Sequence, residues 1–271
     1  MKYKAYAKIN LRLNVLGKNE FNYHNLSMLN AKISLADELE IIESTKNEVE
    51  YSVDSLNSLE NDICLNVLNE LIDEFKIKKR YHIYIKKNIP LGAGLGGGSS
   101  DVACIINAIS ELNKLNLTIE EKIKIGIKYG ADVPYCLVND ISLVEGIGEK
   151  ITSLGVNIDK KVIVVNPNLF VSTKEVFQNV TKYSKGLSKD EIKKLIYNKE
   201  YDKLLINDLE EPSFKLNEEL KHIKESLLEY GNVVMSGSGS TMLILTDDSD
   251  CITKIKDKCP TYLIKETYII K

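Results

Sequence analysis

Long apolar runs are missing from this sequence: none approaches the roughly 18 residues that a membrane-spanning helix needs. No apolar stretch follows the opening Met1-Lys2-Tyr3-Lys4 either, so no secretory leader is expected. Basic excess is missing too. Lys and Arg number 36 against 39 Asp and Glu, a net charge of −3, which excludes the basic footprint of a nucleic-acid binder. The five cysteines (Cys64, Cys104, Cys136, Cys251, Cys259) are odd in number and form no Cys-x-x-Cys pair. They read as buried thiols in a reducing compartment, the cytoplasm, and not as a disulfide or zinc framework. No internal repeat and no disordered segment stands out. What remains is a chain of 271 residues, 44% hydrophobic and 28% charged. That is enough to bury a sizeable core in one large domain or two smaller ones, without a disulfide or metal.

The clearest strand signal opens the chain. Tyr3, Ala5, Ala7, Ile9, Leu11, Leu13 and Val15 alternate with Lys4, Lys8, Asn10, Arg12 and Asn14, which predicts a half-buried strand with one polar face. Lys8 and Asn10 then point the same way, about 7 Å apart. Further strands are expected near 38–43 and 81–86, with an amphipathic helix over 61–76. A glycine-rich run follows the strand near 81–86, and a helix carrying Val102, Ile105, Ile106 and Ile109 follows the run. Thr118 with Glu121 predicts a capping box for the next helix, ending at Gly130. In the second half, Ser172 with Glu175 and Ser188 with Glu191 predict two more capped helices. A long helix is expected over 214–230, stopped by Gly231. Strands are expected at 161–165, on both sides of Ser236–Ser240 and near 262–270, with a helix near 249–258. Leaving out the extra helices, the second half reads β-α-β-β-α-β, the split unit of ferredoxin-like domains. The boundary falls within 151–160.

The run Pro90-Leu91-Gly92-Ala93-Gly94-Leu95-Gly96-Gly97-Gly98-Ser99-Ser100-Asp101 is the strongest local signal. Each glycine costs up to about 1 kcal/mol relative to alanine in regular structure, a cost tolerated where backbone must curl tightly or lie against a ligand. With a helix expected to begin at Ser99 or Ser100, free amides and a positive dipole end face the loop, which makes an anion site. It is not a Walker loop, because no Gly-Lys-Ser or Gly-Lys-Thr ends it. Gly92, Gly94 and Gly97 match the dinucleotide fingerprint by spacing alone, with no acidic residue placed for a ribose. A plain turn or linker is the bland alternative. Three weaker signals each have one as well. Asp132, before Val133-Pro134, is a natural helix N-cap. Ser236-Gly237-Ser238-Gly239-Ser240 could be a simple hairpin turn. Lys8 could be a solvated strand lysine.

Together these features resemble the GHMP kinases along the whole chain. The residues that carry the resemblance are Ala7-Lys8-Ile9-Asn10-Leu11, Tyr23-His24, the glycine run, Gly130-Ala131-Asp132-Val133-Pro134, Glu145-Gly146-Ile147-Gly148-Glu149-Lys150 and Met235-Ser236-Gly237-Ser238-Gly239. The triple glycine Gly96-Gly97-Gly98 before the serines points to the subgroup that acts on a cytidine-diphosphate-linked erythritol. The resemblance implies an α+β, two-domain fold: a ribosomal-protein-like nucleotide-binding domain over 1–155 and a ferredoxin-like domain over 156–271. It implies transfer of the γ-phosphoryl of ATP, with Mg²⁺, to the 2-hydroxyl of the erythritol arm.

Asp132 matches the family's catalytic Asp and Lys8 its catalytic Lys. A free carboxylate titrates near about pH 4 and an alcohol near about 16, so full deprotonation before attack would cost roughly 16 kcal/mol. Asp132 is therefore expected to orient the hydroxyl and take its proton late, while Lys8 holds Asp132 ionised and offsets phosphoryl charge. Pro90, Gly92, Gly94, Leu95, Gly96, Gly97, Gly98, Ser99 and Ser100 are expected at the phosphates, with Asn61 and Lys87 near the adenine. No metal ligand is assigned; Ser100 is a candidate whose register the triple glycine shifts. Asn10 is expected on the erythritol hydroxyls, Tyr23 and His24 at the cytosine, and Phe177 stacked on the base. Phe21-Asn22 stands where the family has Asp-Gly, a change that could move that loop. The implied partner is the small cytidine-diphosphate substrate, with no nucleic acid and no membrane, in a monomer or homodimer. Alternatives are a GHMP kinase for mevalonate, homoserine or a sugar, or a non-catalytic nucleotide- or nucleic-acid-binding protein on a shared fold.

Overall fold

The computed structural model describes residues 1–270. In chain order the elements are β1 (Lys2–Lys18), β2 (His24–Ser44), β3 (Glu48–Tyr51), α1 (Ile63–Glu74), β4 (Arg80–Lys86), α2 (Gly97–Leu112), α3 (Ile119–Gly126), α4 (Val133–Cys136), β5 (Ser142–Gly146) and β6 (Lys150–Ser153). There follow β7 (Lys161–Asn166), α5 (Thr173–Gln178), α6 (Lys189–Tyr197), α7 (Tyr201–Leu204), β8 (Ile206–Asn207), α8 (Glu210–Leu216), α9 (Glu218–Leu227), β9 (Asn232–Met235), β10 (Met242–Thr246), α10 (Cys251–Lys258) and β11 (Leu263–Tyr268). They form two compact units. One comprises Met1–Ala7, Leu35–Pro90 and Gly96–Val138; the other comprises Lys8–Ser34, Leu91–Leu95 and the described residues from Asn139 on.

In the first unit the later half of β2 pairs antiparallel with β4, with Ile41 opposite Ile83, and β3 adds to β4 in parallel. The helices cover this sheet because their apolar residues recur at helical spacing. Val67, Leu68, Leu71 and Ile72 of α1 are buried in one cluster with Val102, Ile105, Ile106 and Ile109 of α2 and with Ile83 and Ile85 of β4. Burying each such side chain contributes about 1.5–3 kcal/mol. Asp62 caps α1 by accepting from the Cys64 amide. The capping box of α3 is complete, with Thr118 and Glu121 each accepting from the other's amide.

In the second unit β7, β9, β10 and β11 make an antiparallel sheet in the order β11-β7-β10-β9. This is the order of the ferredoxin-like split unit expected for the second half. The early part of β2 pairs with β5, which turns back through β6. β8 lies parallel to β1 at Arg12 and Leu13.

Two expectations change. The single helix over 214–230 is two helices, because the Asn217 backbone is extended and its side chain accepts from the Glu219 amide, ending α8 and capping α9. The polar face of β1 is not solvated: Lys8, Asn10, Arg12 and Asn14 are all buried. Polar groups withdrawn from water need partners, and the partners of this row lead to the site.

Candidate active site

The glycine run curls through three left-handed glycines, Gly92, Gly94 and Gly96. Gly96 ends the curl as the N-cap of α2, with no side chain capping the helix and no acidic residue in its first turn. The first helical hydrogen bond of α2 runs from the Ser100 amide to the Gly96 carbonyl at 2.9 Å. The amides of Gly97, Gly98 and Ser99 precede it, so they carry the positive end of a 16-residue helix outward. Such a bare helix start can accept an anion such as phosphate. The helix starts two residues earlier than expected, because Gly97 fits under Ile89: a Cβ there would stand 3.2 Å from Cγ2 of Ile89.

Ser100 plays a different part from the one expected. Besides its spent amide, its hydroxyl donates to the Tyr6 carbonyl at 2.8 Å and lies 3.3 Å from Sγ of Cys136. It anchors the loop's far end and turns nothing polar outward. Lys87 is committed as well. Its ammonium is buried between Asp37 and Asp101, 2.5 Å from Oδ2 of Asp101. Asp37, 0% exposed, also accepts from the amides of Asn88 and Ile89 at 2.5 and 2.8 Å. The glycine run is thus fixed on both flanks, by Asp37 before it and by Asp101 after it. Oδ1 of Asp101 is buried with no hydrogen-bond partner. Burial pushes the Asp101 carboxyl up to about 7; Lys87 opposes the rise and Asp37 adds to it. Burial works against the Lys87 ammonium, but Asp101 and Asp37 outweigh it and hold its pKa above the ordinary value.

Within the second unit, β1 is tied to the loop directly. The Lys8 amide donates to the Leu95 carbonyl at 3.0 Å. The Ser236 hydroxyl donates to the Gly94 carbonyl at 3.0 Å and accepts from the Asn10 amide at 3.4 Å. Packing is so close that a Cβ on Gly94 would collide with the Ser236 carbonyl. The Ser-Gly-Ser-Gly-Ser segment between β9 and β10 is therefore a backing for the glycine run. The side chains of Lys8 and Asn10 meet, with Nζ donating to Oδ1 at 2.9 Å.

In the turn between β1 and β2, Asn22 takes the left-handed conformation, φ +66°, that glycine would favour and asparagine tolerates. Asn19 holds the turn, its Oδ1 accepting from the amides of Phe21 and Tyr23, both at 3.0 Å. His24 and Phe177 come together as a tilted ring pair, centroids 5.2 Å apart, with Tyr183 at 6.4 Å from His24. Nε2 of His24 is buried without a partner. Burial, and then Lys18, lowers the His24 pKa, which favours neutral imidazole. Tyr23 stays outside the pair and is 64% exposed. Tyr183 also lines a cavity of about 880 Å³ with Ser184, Asp208 and Phe214, none of them expected in the site.

Asp132 occupies the N-cap position of α4, yet its carboxylate makes no capping hydrogen bond. The cap position expected for this residue is thus found, but without capping through its side chain. Asn61 is exposed just before α1, its Oδ1 accepting from Asn66 at 2.7 Å, and Pro90 is half-buried where the curl begins. Among the described residues, no group of three or more His, Cys, Asp or Glu is placed to hold a metal ion. No described helix is long and apolar enough to cross a membrane.

Comparison with known proteins decides the family. The GHMP kinases N terminal domain matches residues 62–140, and the GHMP kinases C terminal domain matches 185–265. The chain belongs to the GHMP kinase family. A 4-diphosphocytidyl-2-C-methyl-D-erythritol kinase of Clostridium perfringens is 38% identical over 92% of this chain and 89% of its own. One from Clostridioides difficile is 33% identical over 100% of this chain and 94% of its own. A crystal structure of 4-(cytidine 5'-diphospho)-2C-methyl-D-erythritol kinase superposes with a TM-score of 0.84, 27% identity and 99% coverage of both chains. A mevalonate kinase structure shares the fold at a TM-score of 0.70 and 18% identity. As a GHMP kinase, the chain is a small-molecule kinase, an enzyme that uses ATP. The glycine curl and the bare start of α2 suit a nucleotide phosphate. Asp37 and Asn19 belong to no motif that marked them in the sequence; each holds a segment that a motif did mark.

Proposed function

We propose that this GHMP kinase transfers the γ-phosphoryl group of ATP to the 2-hydroxyl of 4-diphosphocytidyl-2-C-methyl-D-erythritol. The observation that carries the substrate is the His24–Phe177 pair. A nucleobase edge asks for an uncharged hydrogen-bonding group beside an aromatic face, and His24 offers a buried, unspent Nε2 there. The clostridial relatives bear this activity in their names across nearly the whole chain.

In this reading the amides of Gly97, Gly98 and Ser99 take the nucleotide phosphates. Ser100 and Lys87 support the loop from inside. Lys8 offsets negative charge on the transferring group. Asp132 orients the acceptor hydroxyl and receives its proton late, as the bond to the leaving phosphate loosens. Asn10 binds the erythritol arm, and His24 with Phe177 binds the cytosine. Magnesium is required on general grounds for this chemistry, and no protein ligand is assigned to it. The test is ADP release by the purified protein with the cytidine-diphosphate alcohol, mevalonate and homoserine side by side. Turnover of the first alone is expected. Turnover of mevalonate or homoserine without it would overturn the assignment.

A further inference from the structure

We infer that Asn30 is a positioning residue for phosphoryl transfer, acting through Asn10 on Lys8. The inference rests on the role proposed for those two residues. Its basis is a hydrogen-bond chain with a single allowed direction. Lys8 can only donate. Its Nζ lies 2.9 Å from Asn10, so Asn10 must present Oδ1 to it. That choice turns the Asn10 Nδ2 away, and it donates to Oδ1 of Asn30 at 2.7 Å; the Met28 sulfur at 3.6 Å is its other neighbour. Asn30 must therefore present oxygen in turn. Reversing either amide would set donor against donor. Lys8, Asn10 and Asn30 are 4%, 1% and 0% exposed, so water is not freely available to repair a reversed link.

Asn30 thus holds the Asn10 amide in the orientation that Lys8 requires, and the Asn10 oxygen helps to hold the Lys8 ammonium. Asn30 sits on β2, where its backbone pairs with Ser142. Its own Nδ2 is buried with no partner in the chain. The acceptor and the donor of this side chain can therefore be separated by substitution. Asn30→Leu removes both, whereas Asn30→Asp keeps the oxygen that faces Asn10 and removes the donor.

The experiment measures kcat and both KM values for Asn30→Leu, Asn30→Asp, Asn10→Ala and the double variant Asn10→Ala/Asn30→Leu. Thermal melting confirms that each folds. Asn30→Leu should lower kcat by roughly ten- to a hundredfold, with KM for ATP within about twofold. Asn30→Asp should stay within about threefold of wild type in kcat. On the Asn10→Ala background, Asn30→Leu should cost less than about twofold more, because its effect travels through Asn10. A merely structural role would multiply independently in that cycle. Wild-type turnover in Asn30→Leu, an Asn30→Asp variant as poor as Asn30→Leu, or independent effects would each overturn the proposal. If Asn30→Leu does not fold, Asn30→Ala takes its place in the same cycle. If the wild-type enzyme does not phosphorylate the cytidine-diphosphate alcohol, the substrate reading fails instead, and the cycle is run with whichever alcohol it does turn over.

Discussion

The cluster under the glycine run contains two carboxylates and one ammonium, and that imbalance predicts how stability responds to pH. Asp37 is satisfied by two amides and Lys87; Asp101 has Lys87 alone and a bare Oδ1. Asp101 is therefore the group that takes a proton. Its pKa is about 7 in the folded chain against an ordinary 3.8. A carboxyl raised in the folded state contributes stability that is complete below the unfolded value and is lost as pH rises through the folded one. Roughly 3 pKa units at 1.36 kcal/mol each set an upper bound of about 4 kcal/mol, and relaxation around the cluster brings the expected loss to about 2–4 kcal/mol. A neutral amide in place of this carboxyl would mimic the protonated acid at every pH, so the substitution Asp101→Asn should remove this loss.

The assay is urea unfolding of wild type and Asp101→Asn from pH 5 to pH 8. Wild type should lose about 1–3 kcal/mol more than the variant over that range, since only about two of the three pKa units lie above pH 5, and at pH 8 the variant should equal or exceed it. Asp37→Ala, in the same series, strands the Asn88 and Ile89 amides and takes one partner from Lys87, a loss of about 3–5 kcal/mol at pH 5 that shrinks as pH rises, because the carboxylate that helps to raise the Asp101 pKa is gone. Parallel pH curves for wild type and Asp101→Asn would refute the reasoning. So would an Asp101→Asn variant more than about 2 kcal/mol weaker than wild type at pH 8.

Three further outcomes follow from the site. Asp132→Asn should lower turnover by about a hundredfold or more while calorimetric ATP binding stays near normal, since the residue acts on the acceptor's proton; wild-type turnover would remove it from the mechanism. Gly94→Ala forces a side chain into a left-handed backbone against the Ser236 carbonyl, and KM for ATP should rise about tenfold or more, checked by initial rates. His24→Gln should raise KM for the acceptor about tenfold and leave KM for ATP alone. With the His24 pKa lowered by burial and Lys18, the neutral ring is kept at pH 7, and acceptor KM should rise in wild type only as pH falls below the ordinary imidazole range, but stay flat in the variant.

Much of this could be read from residue order, because local rules and local needs agreed. Alternation over 3–15 announces β1, Thr118 with Glu121 announces α3, and five glycines after a strand announce a tight curl leading into a helix. Where local rules lost, a nonlocal partner or a local competitor explains why. The polar face of β1 reads as solvated until its distant partners are known: Asn30 for Asn10, the Lys203 and Leu204 carbonyls for Arg12, Ser184 and Asp208 for Asn14. Lys87 reads as a nucleotide contact until Asp37, fifty residues earlier in the chain, claims its ammonium. The helical pattern over 214–230 hides the break at Asn217, a residue equally at home inside a polar helix face or capping one.

The Ser236 hydroxyl has a consequence for the order in which this enzyme becomes competent. It closes a contact with Gly94 across 142 positions, so the loop's last support leaves the ribosome long after every glycine of the loop. Chains are made from the amino terminus at about 5–20 residues per second. For several seconds a nascent chain thus carries the complete glycine run without the segment that backs it. The curl at Gly94 is therefore completed only once residues 142 positions further on have been made.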